Sequence, residues 1–356
     1  MSAAAILWSM FALATVVGQA ADDGLPVYTD PQHADADFAL QGEYQGWQRT
    51  LPQSDRSSEK IGLQVIARGD GKFEAMKYPG GLPGGGWARG GNRYVLHGER
   101  TNDTVKLTGD KFDILLRNGV GALLTKAGKI AGELRQVHRA SPTMGLAPPP
   151  GAVRIFTGAE TSLLKDAKLS PEGWLLAGTE TVNTYRNFRM HAEFYLPYKP
   201  AATGQGRANS GLYLQCRYEV QILDSFGLPG LFNECGALYR TIPPDVNMCL
   251  PPLQWQTYEI DFRQPVFDAN GRKTANARIS VWHNGVVVQN DVEIPNKTGA
   301  GKPEGPEPLP IKIQDHSNPV MFRNIWLVET KGTELQDWPV LPSAPVPAPL
   351  LLGSNP

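Results

Sequence analysis

Gly211-Leu212-Tyr213-Leu214-Gln215-Cys216-Arg217-Tyr218-Glu219-Val220-Gln221-Ile222 alternates apolar and polar residues almost throughout. Side chains of an extended strand point alternately to the two faces of a sheet. Read as one strand, the stretch puts Leu212, Leu214, Cys216, Tyr218, Val220 and Ile222 on a core face. Tyr213, Gln215, Arg217, Glu219 and Gln221 take the other. That second face holds a cation, a carboxylate and amides. Such a row suits a polyhydroxylated ligand, and it also suits the solvated side of an antiparallel sheet.

The same alternation recurs along the chain, and no long amphipathic helix interrupts it. With Gly 38 and Pro 30 among 356 residues, turns are frequent between short elements, which points to an all-β protein. Short β-like runs at Ile61 to Ala67, Lys72 to Tyr78, Tyr94 to Gly98, Phe112 to Leu116 and Ala122 to Thr125 predict a small β-rich domain over 25–138. Residues 139–151 contain Pro142, Pro148, Pro149 and Pro150 without apolar periodicity and read as an extended linker. A second β domain follows over 152–332, and the Pro/Ala-rich stretch 333–356 reads as a disordered tail. Within the second domain, Ile279 to Gln289 forms two alternating runs joined by Asn284-Gly285, the strongest local hairpin signal in the chain.

Basic and acidic residues balance at 34 and 35, so no long-range field recruits nucleic acid or an anionic membrane surface. The apolar run Ala3 to Val17 followed by Gly18-Gln19-Ala20 reads as a secretory signal over 1–20, leaving an exported protein with no membrane span after cleavage. Its n-region lacks Lys and Arg, so an uncleaved anchor is the alternative. Cys216, Cys235 and Cys249 have no metal-site spacing. For an exported chain the expected bridge is Cys235 to Cys249, with Cys216 as a buried thiol.

Chemistry-bearing residues gather in two places. Gln314-Asp315-His316 ends one short run, and Phe322-Arg323-Asn324-Ile325-Trp326 returns after a turn, so Asp315, His316 and Arg323 form a candidate proton-transfer set. Asp315 could equally accept backbone N–H groups in the turn. Glu219 and Asp224 form a candidate two-carboxylate pair of the endoglycosidase kind.

Asn209-Ser210-Gly211-Leu212-Tyr213-Leu214-Gln215, Tyr218-Glu219-Val220-Gln221-Ile222-Leu223-Asp224-Ser225-Phe226-Gly227, Trp255-Gln256-Thr257-Tyr258, His283-Asn284-Gly285-Val286, Gln314-Asp315-His316 and Phe322 to Trp326 together resemble the 3-keto-disaccharide hydrolase family. The resemblance spans about Ala152 to Thr330 and implies a concanavalin A-like jelly-roll sandwich. It also implies an exported enzyme whose carbohydrate partner is a glycoside already oxidised to a ketone at C3. Such an enzyme removes the C2 proton, expels the glycosidic oxygen from C1 and adds water. On this resemblance Glu219, His316, Arg323 and Asp224 are the catalytic candidates. Arg217, Gln221, Gln215, Tyr239, Asn209 and Asp315 are candidates for holding the sugar. It names no certain cofactor and leaves a divalent cation open. The rivals are a non-catalytic lectin-like module, since fold alone does not fix function, and a conventional endoglycosidase. Two positions depart from the commoner family pattern: Ser317 stands where Gly usually opens the turn, and Cys216 where Gly or a polar residue is usual.

Overall fold

The structure is a computed structural model describing residues 24–49 and 57–332. The signal reading over 1–20 and the tail over 333–356 lie outside the described residues.

Eight antiparallel strands, opening with Gly42–Arg49 and Ser58–Ala67 and ending with Val120–Thr125 and Ile130–Val137, form a meander that closes into a barrel where the last pairs with the first. The five runs anticipated from alternation fall inside five of these strands. Gly42–Arg49, Thr104–Thr108 and Ile130–Val137 were not singled out, because glycines and charges dilute their pattern. Inward-facing Tyr44, Leu63, Val65, Ala75, Leu107, Ile114, Leu116, Leu123 and Leu134 are fully buried and pack as one core. Closure leaves no unpaired edge to recruit another chain. At Gly46 and Gly98 a Cβ would lie 1.8 and 2.0 Å from the carbonyl oxygens of Glu133 and Lys106 on neighbouring strands. Only glycine permits strands to approach and bend that closely.

The second half is a β-sandwich of the expected jelly-roll kind. Its five-stranded sheet runs Leu164–Lys165, Thr179–Thr181, Lys312–Ile313, Ser210–Leu214, Tyr218–Ile222. Its seven-stranded sheet runs Leu175–Leu176, Met321–Glu329, Phe188–Tyr195, Trp255–Arg263, Ala277–His283, Val286–Ile294, with Val153–Phe156 also paired to Met321–Glu329. Leu212, Leu214, Tyr218, Val220 and Ile222 from the first sheet meet Met190, Phe194, Tyr258, Ile260, Phe262 and Val281 from the second.

The opening stretch is two strands, not one. Gln215 and Cys216 have φ of 51° and 50°, and Arg217 N donates to Leu214 O at 3.0 Å, closing a turn with left-handed backbone at both central residues. Leu214 then pairs with Tyr218, Tyr213 with Glu219 and Gly211 with Gln221. Because paired residues share a face and Leu214 and Tyr218 are four apart, parity survives the reversal. The faces read from alternation are therefore right for the residues in the strands and wrong for Gln215, Cys216 and Arg217, which belong to the turn.

The Asn284-Gly285 hairpin forms as anticipated, with His283 paired to Val286 and φ of 50° and 78° at the two turn residues. Gly285 also receives the barrel-to-sandwich connection, since a Cβ there would sit 2.4 Å from Pro142 Cγ. Gly285→Ala is thus expected to lower stability by about 1–3 kcal/mol through backbone strain alone, with the clash adding to it, as read from denaturant unfolding.

The expected linker is a fitted strap. Ser141 and Thr143 hydroxyls bond Thr257 Oγ1 at 2.6 and 2.8 Å, and Gly145 N donates to Glu193 Oε1 at 2.6 Å. Leu146 O accepts from Asn324 Nδ2 and Trp326 Nε1. Underneath, His191 lies between Glu259 (Nδ1 to Oε1, 2.9 Å) and Glu193, stacked on Trp326. Burial opposes charge on both His191 and Glu193. The hydrogen bonds among them, with Asn324 and Arg323, prevail, raising the His191 pKa and holding Glu193 at about 2. Prolines without periodicity gave no sign of this docking, because the strap supplies mostly backbone groups and short hydroxyls.

The anticipated Cys235 to Cys249 bridge is not formed: both are free, buried thiols, with Cys235 3.1 Å from Tyr258 Oη and Cys249 donating to Leu223 O at 3.5 Å. Cys216 is likewise free and buried, in the turn and 3.7 Å from Glu180 rather than on the core face. Among the described residues no helix is long and apolar enough to cross a membrane.

Candidate functional site

The outer face of the five-stranded sheet collects the motif residues. Tyr213 and Glu219 are cross-strand partners, so the Tyr213 hydroxyl reaches Glu219 Oε2 at 2.6 Å. Gly211 gives Glu219 its room: a Cβ there would stand 2.6 Å from Oε1. The segment following the hairpin partner roofs this carboxyl. Thr298 Oγ1 accepts from Glu219 N at 2.6 Å, and a Cβ on Gly299 would meet Glu219 Oε2 at 3.0 Å and the Tyr239 ring at 2.8 Å. Glu219 is 2% exposed. Burial drives its pKa up, and the Tyr213 hydrogen bond and the Lys312 charge offset that only partly, leaving it at about 7.

Beside Glu219 on this face lies an amide cluster. Gln221 Nε2 and Asn209 Nδ2 both donate to Gln205 Oε1, at 2.9 and 3.2 Å. Gln314, at the end of the neighbouring strand, is held to the same sheet by its N–H to Gly211 O and by Ser210 Oγ to its carbonyl. The side-chain oxygens of Asn209, Gln221 and Gln314 are buried without a hydrogen-bond partner among the described residues. Buried acceptors left unpaired are costly, and three on one face leave unused acceptor capacity beside Glu219. Alternation identified Gln221 but not Gln205, which sits in the short 3-10 helix Gly204–Gly206, nor Gln314 as a member of this cluster. Its position two residues after Lys312 on the outer face was the available signal.

The remaining candidates are elsewhere. Asp224 lies past the strand end in a buried ion pair with Arg207 (Nη2 to Oδ2, 2.5 Å), and its other oxygen accepts from Phe226 N. Arg217 and Gln215 brace the turn: Arg217 donates to Pro303 O, Glu307 O and Gln215 Oε1, and Gln215 Nε2 donates to Tyr185 O. Tyr239 borders Glu219, its N–H donating to Glu219 O at 3.1 Å. Asp315, His316 and Arg323 do not assemble. Asp315 Oδ1 accepts from Ser317 N, His316 is exposed with its carbonyl taken by Asn318 Nδ2, and Arg323 is on the other sheet. There Arg323 pairs with Glu193 at 2.7 Å and stacks 4.1 Å over Trp255. Ser317 has a φ of 57°, which explains why glycine suits that position in the family pattern. His283 is a fully buried core residue, its pKa pushed down to about 3 by burial. Among the described residues no group of three or more His, Cys, Asp or Glu side chains is placed to hold a metal ion.

Residues 157–328 match the family described as the 3-keto-alpha-glucoside-1,2-lyase-like domain. Among solved structures, the chain is similar to a provisionally named glycosyl hydrolase of Parabacteroides distasonis ATCC 8503, at 29% identity over 51% of this chain and 85% of that one, with a TM-score of 0.47. A second such protein from the same organism shares 17% identity over 55% of this chain and 98% of its own, with a TM-score of 0.38. No curated protein matches the chain significantly.

Proposed function

Because residues 157–328 carry a 3-keto-alpha-glucoside-1,2-lyase-like domain, we propose that this carbohydrate-active protein cleaves glycosides oxidised at C3, with Glu219 as the proton-transfer group. The observation that carries this reading is a buried carboxyl with a pKa near 7 on the same face as three unpaired amide oxygens. The C3 ketone acidifies the C2 hydrogen. Ionised Glu219 takes that proton, and the C2–H electron pair passes into the enolate. The enolate then expels the glycosidic oxygen from C1, leaving a C1–C2 double bond conjugated to the ketone. The proton now on Glu219 is available to the departing oxygen, and water adding at C1 completes hydrolysis. A general base works best when its pKa is close to the working pH, a condition that Glu219 meets at about 7 while buried on the same face as the amide cluster. Asn209, Gln221 and Gln314 would accept sugar hydroxyls, and Tyr213 would keep the carboxyl oriented. Export belongs to the same reading, supported by the leader-like run Ala3 to Val17.

The test is turnover of a 3-keto-disaccharide beside its unoxidised parent. Only the keto sugar should be cleaved, with exchange of C2 deuterium into water and kcat/KM rising with pH through about 7 as Glu219 ionises. Saturable binding without turnover would mark a lectin-like module, and cleavage of the parent a conventional glycosidase.

A further inference from the structure

We propose that one mouth of the N-terminal barrel is a binding site for a small ring-bearing carboxylate of the uronic-acid kind, separate from the face around Glu219. Strand alternation sets which residues point inward. Down the barrel these are apolar: Ile61, Leu63 and Val65 on one strand, Phe73 and Ala75 on the next, Ile114 and Leu116 on a third. In the last inward layer the pattern changes. The same registers place Glu59 two residues before Ile61, Lys77 two after Ala75, Gln48 four after Tyr44, and Tyr94 and Phe112 at the starts of their strands. A core without a further task would end on another apolar layer, because a buried ammonium is expensive.

These five residues line a cavity of about 720 Å³, within the range of small-molecule sites. Lys77 is 3% exposed, with Nζ 5.1 Å from the Tyr94 ring centroid and 4.8 Å from that of Phe112. One of its three donors goes to Gln48 Oε1 at 2.5 Å, and Gln48 Nε2 in turn bonds Glu59. Among the described residues Gln48 Oε1 is the one acceptor that Nζ reaches, which leaves two of its donors unused by them. Among the described residues around the cavity, Arg49, Lys77, Arg93 and Lys111 outnumber Glu59 and Asp110, which favours an anion. The flanking Tyr94 and Phe112 rings offer apolar faces to a sugar ring. Burial, partly countered by Glu59 and reinforced by Lys111, brings the Lys77 pKa down to about 8. An arriving carboxylate would restore the full charge.

The test is calorimetric titration of the full chain with galacturonate, trigalacturonate and neutral galactose. Both acids should bind at least tenfold more tightly than galactose. A tighter trimer indicates that the acid is met within a polymer, and equal affinities that it is met free. Lys77→Met should weaken acid binding tenfold or more, and the rim variant Arg93→Gln should weaken it severalfold with the core untouched. Neither should alter turnover of the keto sugar. Absence of acid binding, equal binding of galactose, or acid affinity unchanged in both variants would overturn the proposal.

Discussion

Glu219→Gln is expected to abolish most turnover of a 3-keto-disaccharide, lowering kcat about 100- to 10,000-fold, the span that a positioned proton-transfer group supplies. KM should change little, because glutamine preserves the shape and an acceptor oxygen toward Tyr213. The accompanying stability measurement separates function from architecture. The folded-state pKa of Glu219 is raised to about 7, above the ordinary value of about 4.3. Its contribution to stability is therefore present at low pH and is lost as pH rises through about 7. At pH 8 the wild type holds a buried carboxylate that the variant lacks, so Glu219→Gln should unfold at equal or higher denaturant there. A variant that keeps its turnover number, or loses it only in step with loss of fold, would remove Glu219 from the mechanism.

Asp224→Asn should show the opposite profile. Asp224 and Arg207 are each 1% exposed and paired at 2.5 Å, while Arg207 Nη1 has no hydrogen-bond partner among the described residues. Taking away the carboxylate leaves an uncompensated buried guanidinium, which costs about 3–5 kcal/mol. The double variant Asp224→Leu with Arg207→Met removes both charges and should recover most of that loss. The fraction still folded in Asp224→Asn should turn over the keto sugar at close to the wild-type rate, measured at low temperature. A collapse of kcat in fully folded protein would instead return Asp224 to the two-carboxylate scheme.

Much of the outer face around Glu219 was legible because parity is a local property. Leu212, Leu214, Val220 and Ile222 could be assigned to the core, and Tyr213, Glu219 and Gln221 to the other side, without knowing that the chain reverses at Gln215 and Cys216. The reversal itself was invisible: neither residue favours left-handed backbone, and the turn is held by distant partners, Tyr185 O for Gln215 and Pro303 O and Glu307 O for Arg217. Arg323 misled for the converse reason. Closeness in sequence to Asp315 and His316 suggested a shared site, but its strand belongs to the seven-stranded sheet, where Glu193 claims it.

By itself the sequence determined the quantities that depend on neighbours along the chain: an all-β protein, the Asn284-Gly285 turn, the faces of the strands with clear alternation and the motif order that marks the C-terminal half. Tertiary structure alone decided which faces meet. It closed the meander into a barrel with Lys77 in its mouth, laid 139–151 across the His191 and Glu193 cluster, and buried Glu219 beneath the 298–301 segment. Those outcomes turn on long-range register and desolvation, and both are set only when segments far apart in the chain pack together.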